Sequence, residues 1–338
     1  HNGVPTIFIN GTPHSGATYM TYQPQVNNFK DFAELGCTLY SCSATSDYSF
    51  YGLAADCWKA PDRYDYSQFD ERVGMILEAC PDAYIFPRVY VSAPPWWCDA
   101  HPDELVRTAD GELLAEGGGH RTPESRVASF ASDVWRRDTA DNLRRFIAHV
   151  ESRPYADHII GYHVASGITE EWMYWGFQSR ILTDYSPANV AAWRRWLTAK
   201  YGTDVRLQEA WHDPAVTLSS APIPDKQSRL GSDVGGFLDP TRRQPVIDYN
   251  LYHSWVTADT IKYLARTVKE YTNRKKLFGT FYGYCLEICW EGLGMPTSGH
   301  LALADILASP DIDFLTSPSS YTARTLGTGH SVFMSLTE

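Results

Sequence analysis

Apolar and polar positions along the chain follow two periods that alternate. Short apolar runs of strand length are separated by longer stretches in which apolar residues recur every three or four positions. Thr6–Asn10 predicts a first strand, ending at the turn signal Asn10-Gly11. A short helix over Phe29–Leu35, closed by Gly36, leads to a strand at Cys37–Cys42. Phe69–Ala79 carries Val73, Ile76 and Leu77 on one helical face and stops before Pro81. Ala83–Val91 is almost continuously apolar, as a strand buried on both faces would be. Ala131–Ser152 places Leu143, Phe146, Ile147 and Val150 at helical spacing and feeds a strand at His158–Val164. Ser186-Pro187 reads as an N-cap and first turn of a helix running to Lys200, with Trp193, Trp196 and Leu197 inward. The stretch 221–239 is rich in Pro, Gly and Ser and predicts an irregular insertion loop. A helix over Gln244–Tyr271 follows, with Ile247, Leu251, Trp255, Ala258, Ile261 and Val268 as its apolar face. A strand at Lys276–Tyr282, a helix at Leu301–Leu307 and a strand at Ile312–Thr316 complete the pattern.

Strands that alternate with helices call for a parallel sheet with helical crossovers. A doubly wound nucleotide-binding sheet should carry a glycine-rich phosphate loop after its first strand. Asn10-Gly11-Thr12-Pro13-His14 stands there instead, and Gly117–Gly119 reads as a flexible connection. The expected fold class is therefore α/β, a (β/α)8 TIM barrel. With six predicted strands it is two short of closure and so incomplete at its C-terminal end. One barrel domain over residues 1–338 is expected, with the insertion at 221–239.

Composition narrows the chemistry. Forty acidic against 29 basic residues give a formal net charge of -11, which argues against binding a phosphate backbone. No run approaches the about 20 apolar residues of a membrane span. The seven cysteines form no CxxC pair, so neither a zinc ribbon nor a redox motif is written here, and no metal or cofactor is expected. Free thiols favour a reducing compartment, so the expected location is cytoplasmic, although a start at His1 hides any leader that was removed. Aromatic residues reach 14%, and rings with polar tips suit either sugar faces or a large core.

Catalytic residues of a barrel gather where its strands end. Those positions hold His14, then Ser41–Thr45, then Ser92–Trp97, then Ala165–Trp172, then Tyr282–Glu287, then Ser317–Tyr321. Carboxylates, aromatics and hydroxyls meet there, the groups needed to hydrolyse a glycosidic bond.

Several of these segments carry a resemblance. Pro94-Pro95-Trp96-Trp97 followed by His101–Glu104 resembles the third-strand region of family 42-type β-galactosidases. Trp193–Gly202, with Leu207 and Ala210-Trp211, resembles a helix of the same enzymes. Gly161–Trp172 is similar to the acid/base region of clan A retaining glycosidases, and Gly299–Leu303, Asp311–Leu315 and Ser317–Tyr321 are similar to a β-galactosidase-like subgroup. The resemblance implies hydrolysis of a β-glycosidic bond in a galactoside-like carbohydrate by a retaining double displacement. The acid/base after the fourth strand is then Glu171 or Glu170. Family members place Asn before this Glu, whereas Thr169 or Glu170 stands there in this chain. A neighbouring carboxylate would raise the pKa of the acid. The nucleophile would follow a seventh strand and so lie beyond residue 338. Glu287, Tyr321, Trp97, Trp172, Tyr282, His14 and Arg88 are the candidate substrate-binding residues; Arg88, inside an apolar strand, should face a carboxylate. A homo-oligomer, or a second chain that completes the barrel, would fit the same resemblance. The alternative reading is a non-catalytic carbohydrate-binding barrel or an inactive fragment of such an enzyme.

Overall fold

The computed structural model describes the chain apart from residues 1–2, 4–5, 15, 46–56, 115–125, 168, 175–179, 234–236, 285–293 and 317–338. In chain order the strands are β1 (Ile7–Ile9), β2 (Thr12–His14), β3 (Tyr19–Met20), β4 (Leu39–Ser41), β5 (Ser43–Thr45), β6 (Trp58–Ala60), β7 (Arg63–Tyr64), β8 (Tyr84–Ile85), β9 (Arg88–Tyr90), β10 (Gly161–Ala165), β11 (Leu277–Phe281) and β12 (Phe314–Thr316). The α-helices are α1 (Val26–Glu34), α2 (Ser67–Ala79), α3 (Pro95–Ala100), α4 (Asp133–Glu151), α5 (Pro187–Tyr201), α6 (Asp204–Trp211), α7 (Lys226–Leu230), α8 (Pro240–Tyr271), α9 (Gly294–Thr297) and α10 (Leu303–Leu307).

β4 and β5 are two halves of one strand position, and so are β8 and β9. Among the described residues the parallel strands therefore occupy six positions in chain order: β3, β4–β5, β8–β9, β10, β11 and β12. Pro87 breaks the third position, because it has no N–H to give to the ladder. Its carbonyl still accepts from the His163 N–H at 2.9 Å. Helices α1, α2, α4, α8 and α10 lie between successive positions in the sequence, so the described chain is α/β with helical crossovers.

Register sets the geometry that matters for function. Ser43, Arg88, His163, Gly279 and Phe314 are partners in one row across the strands. Tyr162, on the other face, donates its hydroxyl to Glu151 on α4, so the row points away from that helix. A β-carbon at Gly279 would lie 2.1 Å from the Phe314 ring, so glycine there leaves the space that this ring fills. Two residues further along, Tyr90, Ala165, Phe281 and Thr316 form the next row on the same side.

The main core packs α1, α2, α4 and the second half of α8 onto the strands. Ser132 caps α4 by accepting the Trp135 N–H at 2.9 Å, and Ser186 caps α5, as its sequence predicts. A second cluster joins Trp193, Leu197, Leu207, Val216 and Ile223 to Tyr249 and Tyr252 on α8. At its edge, buried Asp248 accepts hydrogen bonds from Lys200, Tyr201, Trp211 and Gln244. Among the described residues, no helix is long and apolar enough to cross a membrane.

Three expectations need correction. Thr6–Asn10 is not the first parallel strand. Asn10 and Gly11 both adopt positive φ and turn β1 back on β2 as an antiparallel hairpin, and the first parallel position is β3. The stretch 221–239 is not wholly irregular, since it contains α7 and sends Ala221 and Ile223 into the second cluster. The first turns of α8 bury Val246, Tyr249 and Tyr252, while Leu251 is 47% exposed.

Candidate active site

The C-terminal ends of β9, β10 and β11 converge on two adjacent glutamates. After β10 the backbone turns abruptly, with φ of +81° at Gly167, +60° at Thr169, +69° at Glu170 and +60° at Trp172. A β-carbon at Gly167 would sit 2.7 Å from the Met173 carbonyl oxygen, so only glycine allows this turn. The Trp172 N–H donates to the Ser166 carbonyl at 2.7 Å and closes the loop. Three non-glycine residues held in the left-handed region cost about 1–3 kcal/mol each, and such backbone clusters at functional sites.

Glu171 is half-buried, and its carboxylate accepts a hydrogen bond from Thr169 Oγ1 at 2.7 Å. Burial pushes its pKa up to about 7, against the downward pull of hydrogen bonds from Thr169 and Tyr284 and of the Arg88 charge. The cause expected from sequence, a neighbouring carboxylate, is not the leading one: loss of water is. Glu170 is only 1% exposed. Its charge acts on Tyr22, Arg88 and Tyr90, and it shares Tyr22 and Arg88 with Glu171.

Arg88 stands at the centre. One Nη donates to the Tyr90 hydroxyl at 3.4 Å, and the guanidinium lies 4.9 Å from the centre of the Phe281 ring. Burial alone would weaken its hold on the proton, but Tyr90, Tyr22 and Glu170 more than offset this, and the cation persists. Beside Arg88 in the same row, the Nε2 of buried His163 is 2.6 Å from Thr316 Oγ1. Burial, and then Arg88, depress the His163 pKa well below the usual histidine range, so the ring is neutral. A carboxyl that keeps its proton near neutrality, beside a fixed cation and several hydroxyls, can deliver that proton to a leaving oxygen.

Several expected contacts lie elsewhere. Trp97 is 1% exposed, because Pro95 starts α3 and points the ring into the core, where Nε1 donates to Asp138 at 3.0 Å. Trp172 is fully buried, with Nε1 donating to Thr280 Oγ1 at 2.9 Å, so it supports the loop and offers no wall to a sugar. Tyr282 is buried as well and donates to the Gly299 carbonyl at 2.8 Å. His14 belongs to the β1–β2 hairpin and packs edge-on against Tyr84 at the start of β8, the opposite end of the strands from Glu171. Glu287 and Tyr321 lie outside the described residues. Tyr22, Tyr90, Thr169 and Tyr284 were not anticipated. Tyr90 had a signal, since it lies two residues after Arg88 and so on the same strand face; Tyr22 follows a strand of two residues that no pattern announces.

The parallel strands with helical crossovers are the fold of solved glycoside hydrolases. Residues 59–290 match glycoside hydrolase family 42, described as β-galactosidase, and the chain belongs to that family. A β-galactosidase of an Arthrobacter species is 27% identical over 189 residues, which are 54% of this chain and 23% of that protein. The chain thus spans about a quarter of that relative. The β-galactosidase of the psychrophilic Marinomonas ef1 superposes with a TM-score of 0.55 at 16% identity, covering 75% of this chain and 34% of that one. The catalytic domain of β-amylase from Paenibacillus polymyxa gives 0.63 at 14% identity, covering 89% and 75%. At these identities the superpositions speak for the fold alone.

Proposed function

We propose that this chain carries the proton-donating side of a retaining β-glycosidase site, set at the C-terminal end of a (β/α)8 barrel and acting on a galactoside-like sugar. Its first six strand positions would be those from β3 to β12. The observation that carries the reading is the Glu171 carboxyl, half-buried on a strained loop, with a pKa raised to about 7. Glu171 protonates the glycosidic oxygen as the bond breaks, then takes a proton from water as the glycosyl intermediate is released. The nucleophile is a second carboxylate after a seventh strand, about 5–5.5 Å from Glu171. Arg88, fixed over Phe281, orients Glu170 and the sugar hydroxyls that enter beside Tyr22 and Tyr90. The choice of a galactoside rests on the names of the family and its relatives.

Proton NMR of an aryl β-galactoside during hydrolysis, by protein that carries this chain together with the seventh-strand carboxylate, tests the mechanism. The β-anomer of the free sugar is expected first, with the α-anomer growing in later by mutarotation. If the α-anomer forms first, the mechanism is inverting. No hydrolysis at all would leave a carbohydrate-binding scaffold.

A further inference from the structure

Glu171 follows β10 and Tyr284 follows β11, yet a third segment holds both from behind. His300 is fully buried. Its Nδ1 accepts the Tyr284 N–H at 3.2 Å, and its Nε2 lies 2.9 Å from the Glu171 carbonyl oxygen. An amide donor at Nδ1 fixes the tautomer: Nδ1 offers its lone pair, and Nε2 carries the hydrogen that it donates to Glu171.

The surroundings leave this ring little freedom. Tyr282 stacks on it at 4.5 Å between centroids, and Tyr284 packs against it edge-on at 5.2 Å. The Tyr282 hydroxyl donates to the Gly299 carbonyl, and Ser298 Oγ accepts the His300 N–H at 3.2 Å. Gly299 has φ of +83°, and a β-carbon there would lie 2.7 Å from Thr257 Oγ1 on α8. Only glycine lets this segment press so closely against the helix. From α8 the charged form of His253 would also oppose a proton on His300. Burial pulls the His300 pKa down to about 3, so the tautomer that makes both bonds persists at working pH.

We infer that His300 is a positioning residue, which ties the loop bearing Glu171 to the loop bearing Tyr284 and so fixes where the acid carboxyl stands. The inference rests on reading Glu171 as the proton donor. His300 itself touches neither sugar nor carboxyl; it acts through two backbone groups.

Two substitutions test it. H300F keeps a ring of similar size and loses both hydrogen bonds, whereas H300Q keeps a donor and an acceptor of similar reach. In H300F the carbon-13 titration of the Glu171 carboxyl should fall from about 7 toward the ordinary value of 4.5, since a freed loop returns the group to water. Hydrolysis of a galactoside with a poor leaving group should drop about 100-fold, the scale of a misplaced catalytic group. A dinitrophenyl galactoside should lose far less, and H300Q should recover most of both readouts. A melting temperature that drops while the midpoint stays put and both substrates slow equally makes His300 a packing residue and overturns the inference. So does an H300Q variant no better than H300F. Should H300F not fold, H300M fills the space without a donor and replaces it. The midpoint needs no turnover: if E171Q hydrolyses normally while H300F still moves the midpoint, the acid assignment fails and the positioning role stands.

Discussion

Glu171→Gln is expected to lower kcat/KM for β-galactosides with poor leaving groups by about 10²–10⁴, the usual contribution of a general acid. The loss should be small for dinitrophenyl galactoside, whose leaving group departs without a proton. Glutamine matches glutamate in size and can still accept from Thr169, which sits 2.7 Å away, so the loop should hold its form. The pH profile carries the same signature. The acid works protonated, so the rate should fall as pH rises through about 7, and this limb should vanish in E171Q. Glu170→Gln is the necessary comparison. Glu170 faces Arg88, Tyr22 and Tyr90, so its loss should weaken substrate binding about equally for all leaving groups. If the leaving-group split appears in E170Q and not in E171Q, the two roles are exchanged.

The second large effect concerns stability in acid. His163, His253 and His300 are 3%, 2% and 0% exposed, and burial depresses all three pKa values, to about 3 for His253 and His300. The unfolded chain takes up protons on these rings below about pH 6.5, and the folded chain does not. Their stabilisation is therefore complete above that pH and is lost progressively as pH falls toward 3. At pH 5 the His253 and His300 rings have each lost about 2 kcal/mol, out of a typical total of about 5–15 kcal/mol, and His163 acts in the same sense. Glu171 works in the opposite sense. Its folded pKa lies above the unfolded 4.5, so it destabilises at high pH and regains at most about 2 kcal/mol between pH 7 and pH 5. It offsets one histidine of the three. Urea unfolding should show a net loss of at least about 2 kcal/mol from pH 7 to pH 5, larger in E171Q, which lacks the offset. Equal stability at the two pH values would mean that the rings take up protons in the folded state.

The parallel strands were legible because strands covered by helices must be apolar throughout, and Ala83–Val91 and Lys276–Tyr282 are such runs. Thr6–Asn10 has the same composition but lies in a hairpin. The Asn10-Gly11 turn was visible; its return strand, Thr12-Pro13-His14, contains a proline and shows no strand pattern. On α8 the face was misjudged because tyrosines outrank a leucine there. Tyr249 and Tyr252 find hydroxyl partners on Asp184 and Asn189, which makes their burial favourable, while Leu251 points out. The same ambiguity affected the site. An indole has identical chemistry in a core and in a sugar subsite, so only the fold could assign Trp97 and Trp172 to the core. That a pair of glutamates, Glu170 and Glu171, follows the fourth strand was legible in the sequence. The source of the high Glu171 pKa was not, because burial comes from groups far apart in sequence. His300 carries no signal of its own in the sequence, because its link to Glu171 spans 129 positions.

The central claim is that Glu171 holds a proton near neutrality, and it can be measured directly. In protein labelled with carbon-13 at the glutamate carboxyls, the resonance absent from E171Q belongs to Glu171, and its shift can be followed from pH 3 to pH 9. The account predicts one transition with a midpoint near 7, well separated from the exposed glutamates. A midpoint near 4.5 would mean that the group is ionised at working pH, and a general acid at this position would be contradicted.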